Sequence, residues 1–270
     1  MTPPTLPQEL IDEIIDQFGE TDMSNENRFF NRRVLATLSM VARAWKERSQ
    51  KHLFSTIDFR KLSSINLTES DLNELAPVLS LTKDLIIDGC WEALSQDDSA
   101  PAAFLRRFRN LESLSLANLY LTGFSPEQLS ACFGHFGETV THLELEGEAS
   151  SDTLIHLASM FPRLDVLYIS ITRVRTEGGR CISREVLPTT GSFQGYLYLY
   201  TLSEEHNNFL SFLSSASPKF DTIRVADSNT GDGVGKLLNS SATSLELLEL
   251  FVDEDEPLGE LLDPLDQFLC

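Results

Sequence analysis

Leu111-Glu112-Ser113-Leu114-Ser115-Leu116 decides the fold of this chain. An apolar residue is followed three positions later by an apolar–polar–apolar triplet. Alternation puts Leu114 and Leu116 on one face of a strand and Ser115 on the other. The triplet recurs as Ile57-Asp58-Phe59, Leu85-Ile86-Ile87, Leu143-Glu144-Leu145, Leu167-Tyr168-Ile169, Leu197-Tyr198-Leu199, Ile223-Arg224-Val225 and Leu248-Glu249-Leu250, at intervals of 24 to 30 residues. The leading apolar residue returns as Val140, Leu164, Phe220 and Leu245. Helix-like stretches lie between the triplets, over 72–79, 125–133, 153–161, 205–213 and 233–238, with Ser125 and Pro126 forming an N-cap and a first-turn proline. One strand and one helix cannot bury a core of their own, whereas stacked copies can. The expected fold class is therefore α/β: a curved parallel sheet with helices along its outside. The competing arrangement is an ordinary α/β domain with a parallel sheet.

Residues ahead of the repeats read differently. Leu6-Pro7-Gln8-Glu9-Leu10-Ile11-Asp12-Glu13-Ile14-Ile15 predicts a helix started by Pro7, with a wide apolar stripe of Leu6, Leu10, Ile11, Ile14, Ile15 and Phe18. Gly19 is expected to end it as a residue tolerant of the left-handed conformation. Residues 20–33 read as a polar loop. Val34, Leu35 and Leu38 then mark a short second helix, and Ser39 reads as the N-cap of a third carrying Val41, Ala42 and Trp45. The domain division is 1–56 and 57–270.

The combination of Leu6, Pro7, Glu9, Leu10, Ile11, Ile14 and Ile15 with Val41, Arg43 and Trp45, and a tail at His52-Leu53-Phe54, resembles the F-box motif of fungal proteins. Ala42 departs from the usual Cys or Ser, and the first loop is long. The repeats resemble leucine-rich repeats of irregular length, although the asparagine of strict repeats is mostly missing, Asn118 being the nearest instance. The resemblance implies a three-helix F-box module followed by an irregular leucine-rich-repeat solenoid. It also implies a substrate-recognition subunit of a Skp–cullin–F-box ubiquitin ligase. The partners would be a Skp-type adaptor, through it a cullin, and an unknown protein target. Leu6, Pro7, Leu10, Ile14, Ile15, Val41 and Trp45 are the adaptor-binding candidates, with Trp45 equally able to anchor the module's own core. The alternative is a repeat-protein scaffold whose N-terminal helices only cap the solenoid.

Strand residues between the buried pairs face outward. Tyr168, Tyr196, Tyr198, Tyr200, Arg224 and Glu249 are the candidate target-binding residues, flanked by Glu144, Glu146 and Phe251. Tyrosine and arginine bring large contact area and a polar tip to binding sites. A register one residue out would bury Tyr196 and Tyr198 instead of the leucines. Arg173, Arg175, Arg180 and Arg184 form a second, basic cluster around Gly178-Gly179, read as a loop.

The formal charge is −20, and residues 61–270 hold 32 acidic and 13 basic side chains against nine and eight in residues 1–60. An acidic body repels phosphates, so neither nucleic acid nor membrane is an expected partner. Cys90, Cys132, Cys181 and Cys270 are far apart, and the opening Met1-Thr2-Pro3-Pro4-Thr5 is not a signal peptide. Reduced thiols in a cytoplasmic or nuclear protein are the expectation. Thr230-Gly231-Asp232-Gly233-Val234-Gly235-Lys236-Leu237 imitates a phosphate loop but has Thr230 and Leu237 where glycine and Ser/Thr are required, so it reads as a flexible turn. Asp253-Glu254-Asp255-Glu256 lacks calcium-loop spacing, and the five histidines lack metal-ligand spacing. No catalytic residue, cofactor or metal is expected, and an enzyme is the least supported class.

Overall fold

The structure, a computed structural model, describes residues 7–19, 25–41, 43–59, 69–89, 100–121, 124–173, 193–226 and 231–251. Helices α1 (Gln8–Gly19), α2 (Asn25–Val41) and α3 (Arg43–Leu53) pack together ahead of the first strand. Their own small core is Ile11, Ile15 and Leu35, with Phe18, Leu38, Trp45 and Leu53 packed against it.

Eight described strands follow in chain order: β1 (Thr56–Phe59), β2 (Asp84–Asp88), β3 (Ser113–Tyr120), β4 (His142–Glu148), β5 (Val166–Arg173), β6 (Gln194–Tyr200), β7 (Lys219–Ala226) and β8 (Leu247–Phe251). They form one sheet in the order β1 to β8, every neighbouring pair parallel. Between them run α4 (Glu69–Leu79), α5 (Ala100–Leu105), α6 (Pro126–Phe133), α7 (Ser151–Met160), α8 (Asn207–Ser215) and α9 (Gly231–Ser241). Parallel strands joined by right-handed crossovers in one unbroken direction carry their helices on one face. Burial agrees. The triplets' outer residues from β2 to β7 are buried against the helices, while every middle residue keeps solvent exposure.

The register is the one the triplets predict. Ile57, Leu85, Leu114, Leu143, Leu167, Leu197, Ile223 and Leu248 pair strand to strand along a single row. The leading residues Leu111, Val140 and Leu164 are buried just ahead of β3, β4 and β5, and Phe220 is buried at the start of β7. A backbone staple repeats there too. The carbonyls of Ser55, Lys83, Glu112 and Thr141 each accept two N–H groups from the next repeat, at 2.7–3.1 Å. This joins α3's end to the sheet through Ser55, whose carbonyl receives Lys83 and Asp84.

The pattern breaks before β2, where buried Thr82 stands at the anchor position, and again before β6. The apolar anchor is Phe193, four positions ahead of Leu197 rather than three, and Gln194 is exposed. The extra residue is absorbed at Gly195, which has φ +74°. Only Tyr196 N–H then reaches the Asp165 carbonyl, at 2.8 Å.

Three expectations for the N-terminal helices need correction. The polar stretch from Asn25 is helix, not loop, because a helix in a small bundle needs only a narrow apolar stripe, supplied here by Leu35 and Leu38. Ser39 lies inside α2 and its hydroxyl donates to the Ala36 carbonyl at 2.7 Å, so it caps nothing, and Val41 ends α2 rather than belonging to the third helix. Gly19 ends α1 without a left-handed φ. A Cβ there would lie 2.1 Å from His52 Nδ1, so glycine leaves room for the His52 ring of α3.

The phosphate-loop look-alike is also corrected. From Gly231 onward it is the first turns of α9, as the helix-like reading of 233–238 expects and the flexible-turn reading does not. A Cβ on Gly233 would meet Asn207 Oδ1 at 2.4 Å and Leu210 Cδ1 at 2.7 Å, so that glycine lets α9 sit close on α8. Ser125 behaves as predicted. Its side chain accepts from Gln128 N–H while Gln128 Oε1 receives Ser125 N–H, a complete capping box. Asn118 is exposed at φ +50° and donates to Asp88 Oδ1 at 2.5 Å. No helix among the described residues is long and apolar enough to cross a membrane.

Candidate functional site

Exposed large hydrophobic side chains fall in two places among the described residues. Leu10, Ile14, Met40 and Val41 lie on the N-terminal helices, and Tyr196, Leu247 and Phe251 lie on β6 and β8. Met40 is 80% exposed and Phe251 55%.

The first surface follows from how α1 is held. At about 100° per residue, Ile11, Ile15 and Phe18 share one line, Asp12 and Asp16 fall on one flank, and Leu10 and Ile14 fall on the other. The core line meets α2 and α3. The acidic flank is clamped by α3: Arg48 Nε donates to Asp16 Oδ1 at 2.7 Å, Nη2 bonds Asp16 Oδ2, and Nη1 reaches Asp12 Oδ2 at 3.2 Å. His52 Nε2 lies 2.7 Å from the same Asp16 oxygen. The other flank is left in solvent. Of the adaptor-binding candidates, Pro7, Leu10, Ile14 and Val41 are thus at the surface. Ile15 is wholly buried and Trp45 half-buried in the bundle core, so these two hold the module together, and Leu6 lies outside the described residues. Met40 was missed. It lies next to Val41 at the end of α2, which runs beyond the apolar positions Val34, Leu35 and Leu38 at both ends.

The Asp16 carboxyl is held well below the usual range, chiefly by its hydrogen bonds to Arg48, with burial opposing and His52 assisting. A depressed carboxylate pKa adds stability above the unfolded value of 3.8 and loses it as pH falls below that. Arg48 is 40% exposed, so solvent screening leaves about 1 kcal/mol. Acid titration from pH 6 to 2, followed by Trp fluorescence melts, should lower the bundle's melting temperature more steeply in the native chain than in Asp16→Asn. Equal slopes would remove the clamp from the account.

The second surface is the open face of the sheet. Three rows cross it. The middle row runs Asp58, Ile86, Ser115, Glu144, Tyr168, Tyr198, Arg224, Glu249. Tyr196 pairs with Thr222, which pairs with Leu247, on one side of it. Glu146, Ser170, Tyr200, Ala226 and Phe251 follow on the other. Leu197 and Leu199 are wholly buried, so all three β6 tyrosines face out and the alternative register is excluded.

The rings form one array. Tyr168 lies 5.3 Å from Tyr200 and 6.1 Å from Tyr198, and Tyr196 stacks on Tyr198 at 6.5 Å with 9° between planes. The Arg224 guanidinium sits over the Tyr198 ring at 5.2 Å, a cation–π contact. Arg224 Nε also lies against a Glu249 carboxylate oxygen, an ion pair rather than an aligned hydrogen bond. Burial raises the Tyr168 phenol above its ordinary range, and Tyr200, Glu144 and Glu146 add to that, against a hydrogen bond with Ser170. Tyr168 therefore stays a neutral hydrogen-bonding group at physiological pH. All six target-binding candidates meet on this face. Leu247 was missed because it precedes the triplet in a strand whose start is not marked.

Arg175, Arg180 and Arg184, Cys90, Cys181 and Cys270, and the acidic run 253–256 lie outside the described residues, as does the side chain of Arg173. Cys132 is buried as a free thiol. No protein-family model matches the chain, and no curated protein matches it.

Proposed function

We propose that the chain is a substrate-recognition subunit of a Skp–cullin–F-box ubiquitin ligase. The N-terminal helices act as the F-box module and dock a Skp-type adaptor, and through it a cullin. The sheet and its helices act as an irregular leucine-rich-repeat solenoid that holds a protein target. Strands about 4.8 Å apart beside helices about 10 Å across bend such a stack with the strands on the inside, so the open face becomes the inner, target-holding one. Ubiquitin transfer is supplied by other subunits, and this chain contributes proximity. On this reading it is not an enzyme, carries no cofactor, and works in the cytoplasm or nucleus.

The observation that carries the reading is the separation of the exposed apolar side chains into two surfaces. A target alone would require one of them. A module that only capped the repeats would turn its apolar residues toward the sheet, yet Leu10 and Ile14 point away from the bundle core that holds Ile11 and Ile15. Exposed apolar side chains on a small helical module are what a partner covers.

Co-purification of the full chain with a Skp-type adaptor tests it. The native chain should retain the adaptor, and Leu10→Asp with Ile14→Asp should reduce retention at least about a hundredfold, the loss of two desolvated apolar anchors. Both positions are already exposed, so the melting temperature should be unchanged. A native chain that captures no such adaptor would overturn the proposal.

A further inference from the structure

The open face has a chemistry of its own. In its three rows the described residues place six carboxylates, Asp58, Asp84, Asp88, Glu144, Glu146 and Glu249, against one guanidinium, Arg224. Arg224 is already paired with Glu249 and laid over Tyr198. Glu144 and Glu146 are exposed and have no cation partner among the described residues. They are on β4, beside the β5 residues Tyr168 and Ser170. No described cation covers Tyr168 as Arg224 covers Tyr198. One tyrosine of the array thus shows what its neighbour lacks.

We propose that the face between β4 and β6 binds an extended basic segment of another protein, with an arginine or lysine side chain laid over Tyr168 and its charge met by Glu144 and Glu146. The inference rests on reading this face as the target-binding surface, and it names the chemistry of the target. Tyr168 and Tyr200 supply the stacking surface, and the two carboxylates supply charge and directed hydrogen bonds. Arginine is preferred over lysine, because a planar guanidinium stacks and forks to a carboxylate at once. An acidic or phosphorylated segment is repelled by the same carboxylates.

The test is fluorescence anisotropy with the full-length chain and three labelled short peptides, rich in arginine, in lysine or in glutamate, at physiological salt. The arginine peptide should bind best, the lysine peptide less well, and the glutamate peptide not at all. Glu144→Gln with Glu146→Gln should weaken arginine-peptide binding about tenfold, and Tyr168→Ala by a similar factor, whereas Tyr168→Phe should keep it because the ring face is retained. Glu74→Gln with Asp152→Asn, an equal charge change on the helices, should leave it unchanged. Circular dichroism checks that each variant is folded. The inference is overturned if the arginine peptide fails to bind, if the glutamate peptide binds as well, or if the helix-side variant loses as much as the face variant. Adaptor capture by the same variants separates the two ideas. Face substitutions should leave it intact, and Leu10→Asp with Ile14→Asp should leave peptide binding intact.

Discussion

Replacing Gly195 with alanine should lower the unfolding free energy by about 3 kcal/mol, the sum of a left-handed backbone penalty and a steric one. Gly195 sits at φ +74°, and a Cβ there would lie 2.3 Å from the Asp165 carbonyl oxygen. That oxygen belongs to the neighbouring backbone and accepts the Tyr196 N–H, so it cannot withdraw without breaking the turn into β6. Gly89 supplies the internal comparison. It has φ +70°, yet nothing lies within 4 Å of its missing Cβ. Gly89→Ala should therefore cost only the backbone part, about 1 kcal/mol. Urea unfolding monitored by circular dichroism measures both. Equal losses in the two variants would show that the close approach at Asp165 is not a constraint. Because Gly195 takes up the extra residue between Phe193 and Leu197, Gly195→Ala should also disturb the tyrosine array more than Gly89→Ala does.

Adjacent residues on β6 should respond very unequally to truncation. Leu197→Ala removes a wholly buried side chain from the row of paired leucines and should cost about 3 kcal/mol, the transfer term plus the cavity left behind. Tyr198→Ala removes a ring that faces solvent, stacks on Tyr196 and lies under Arg224. It should cost about 1 kcal/mol or less. The same denaturation experiment decides. A chain in which Tyr198→Ala were the more damaging change would have the register one residue out, with the tyrosines inside.

Much of this was legible in the chain. The period-two triplet identifies both faces of each strand, and its return at 24 to 30 residues names the neighbours. Hence the sequence alone groups the tyrosines, Arg224 and Glu249 on one face. The N-terminal helices were less legible. Polarity in α2 imitated a loop, because a helix in a three-helix bundle buries little of its surface. The six apolar residues of the α1 stretch made one stripe in sequence, yet Ile11 and Ile15 are core while Leu10 and Ile14 are surface.

Glycines mark the same limit. Gly19 and Gly233 look like a helix terminator and part of a phosphate loop, but both leave room for a side chain of another helix. Local pattern therefore determined the strands, their order and their register, since side-chain alternation and repeat length are properties of the chain itself. Only the tertiary structure decided which flank of α1 is clamped by Arg48 and which stays exposed, how the tyrosine rings meet, and why Gly195 must be glycine. Each of these depends on atoms distant in sequence, placed by packing that no local periodicity records.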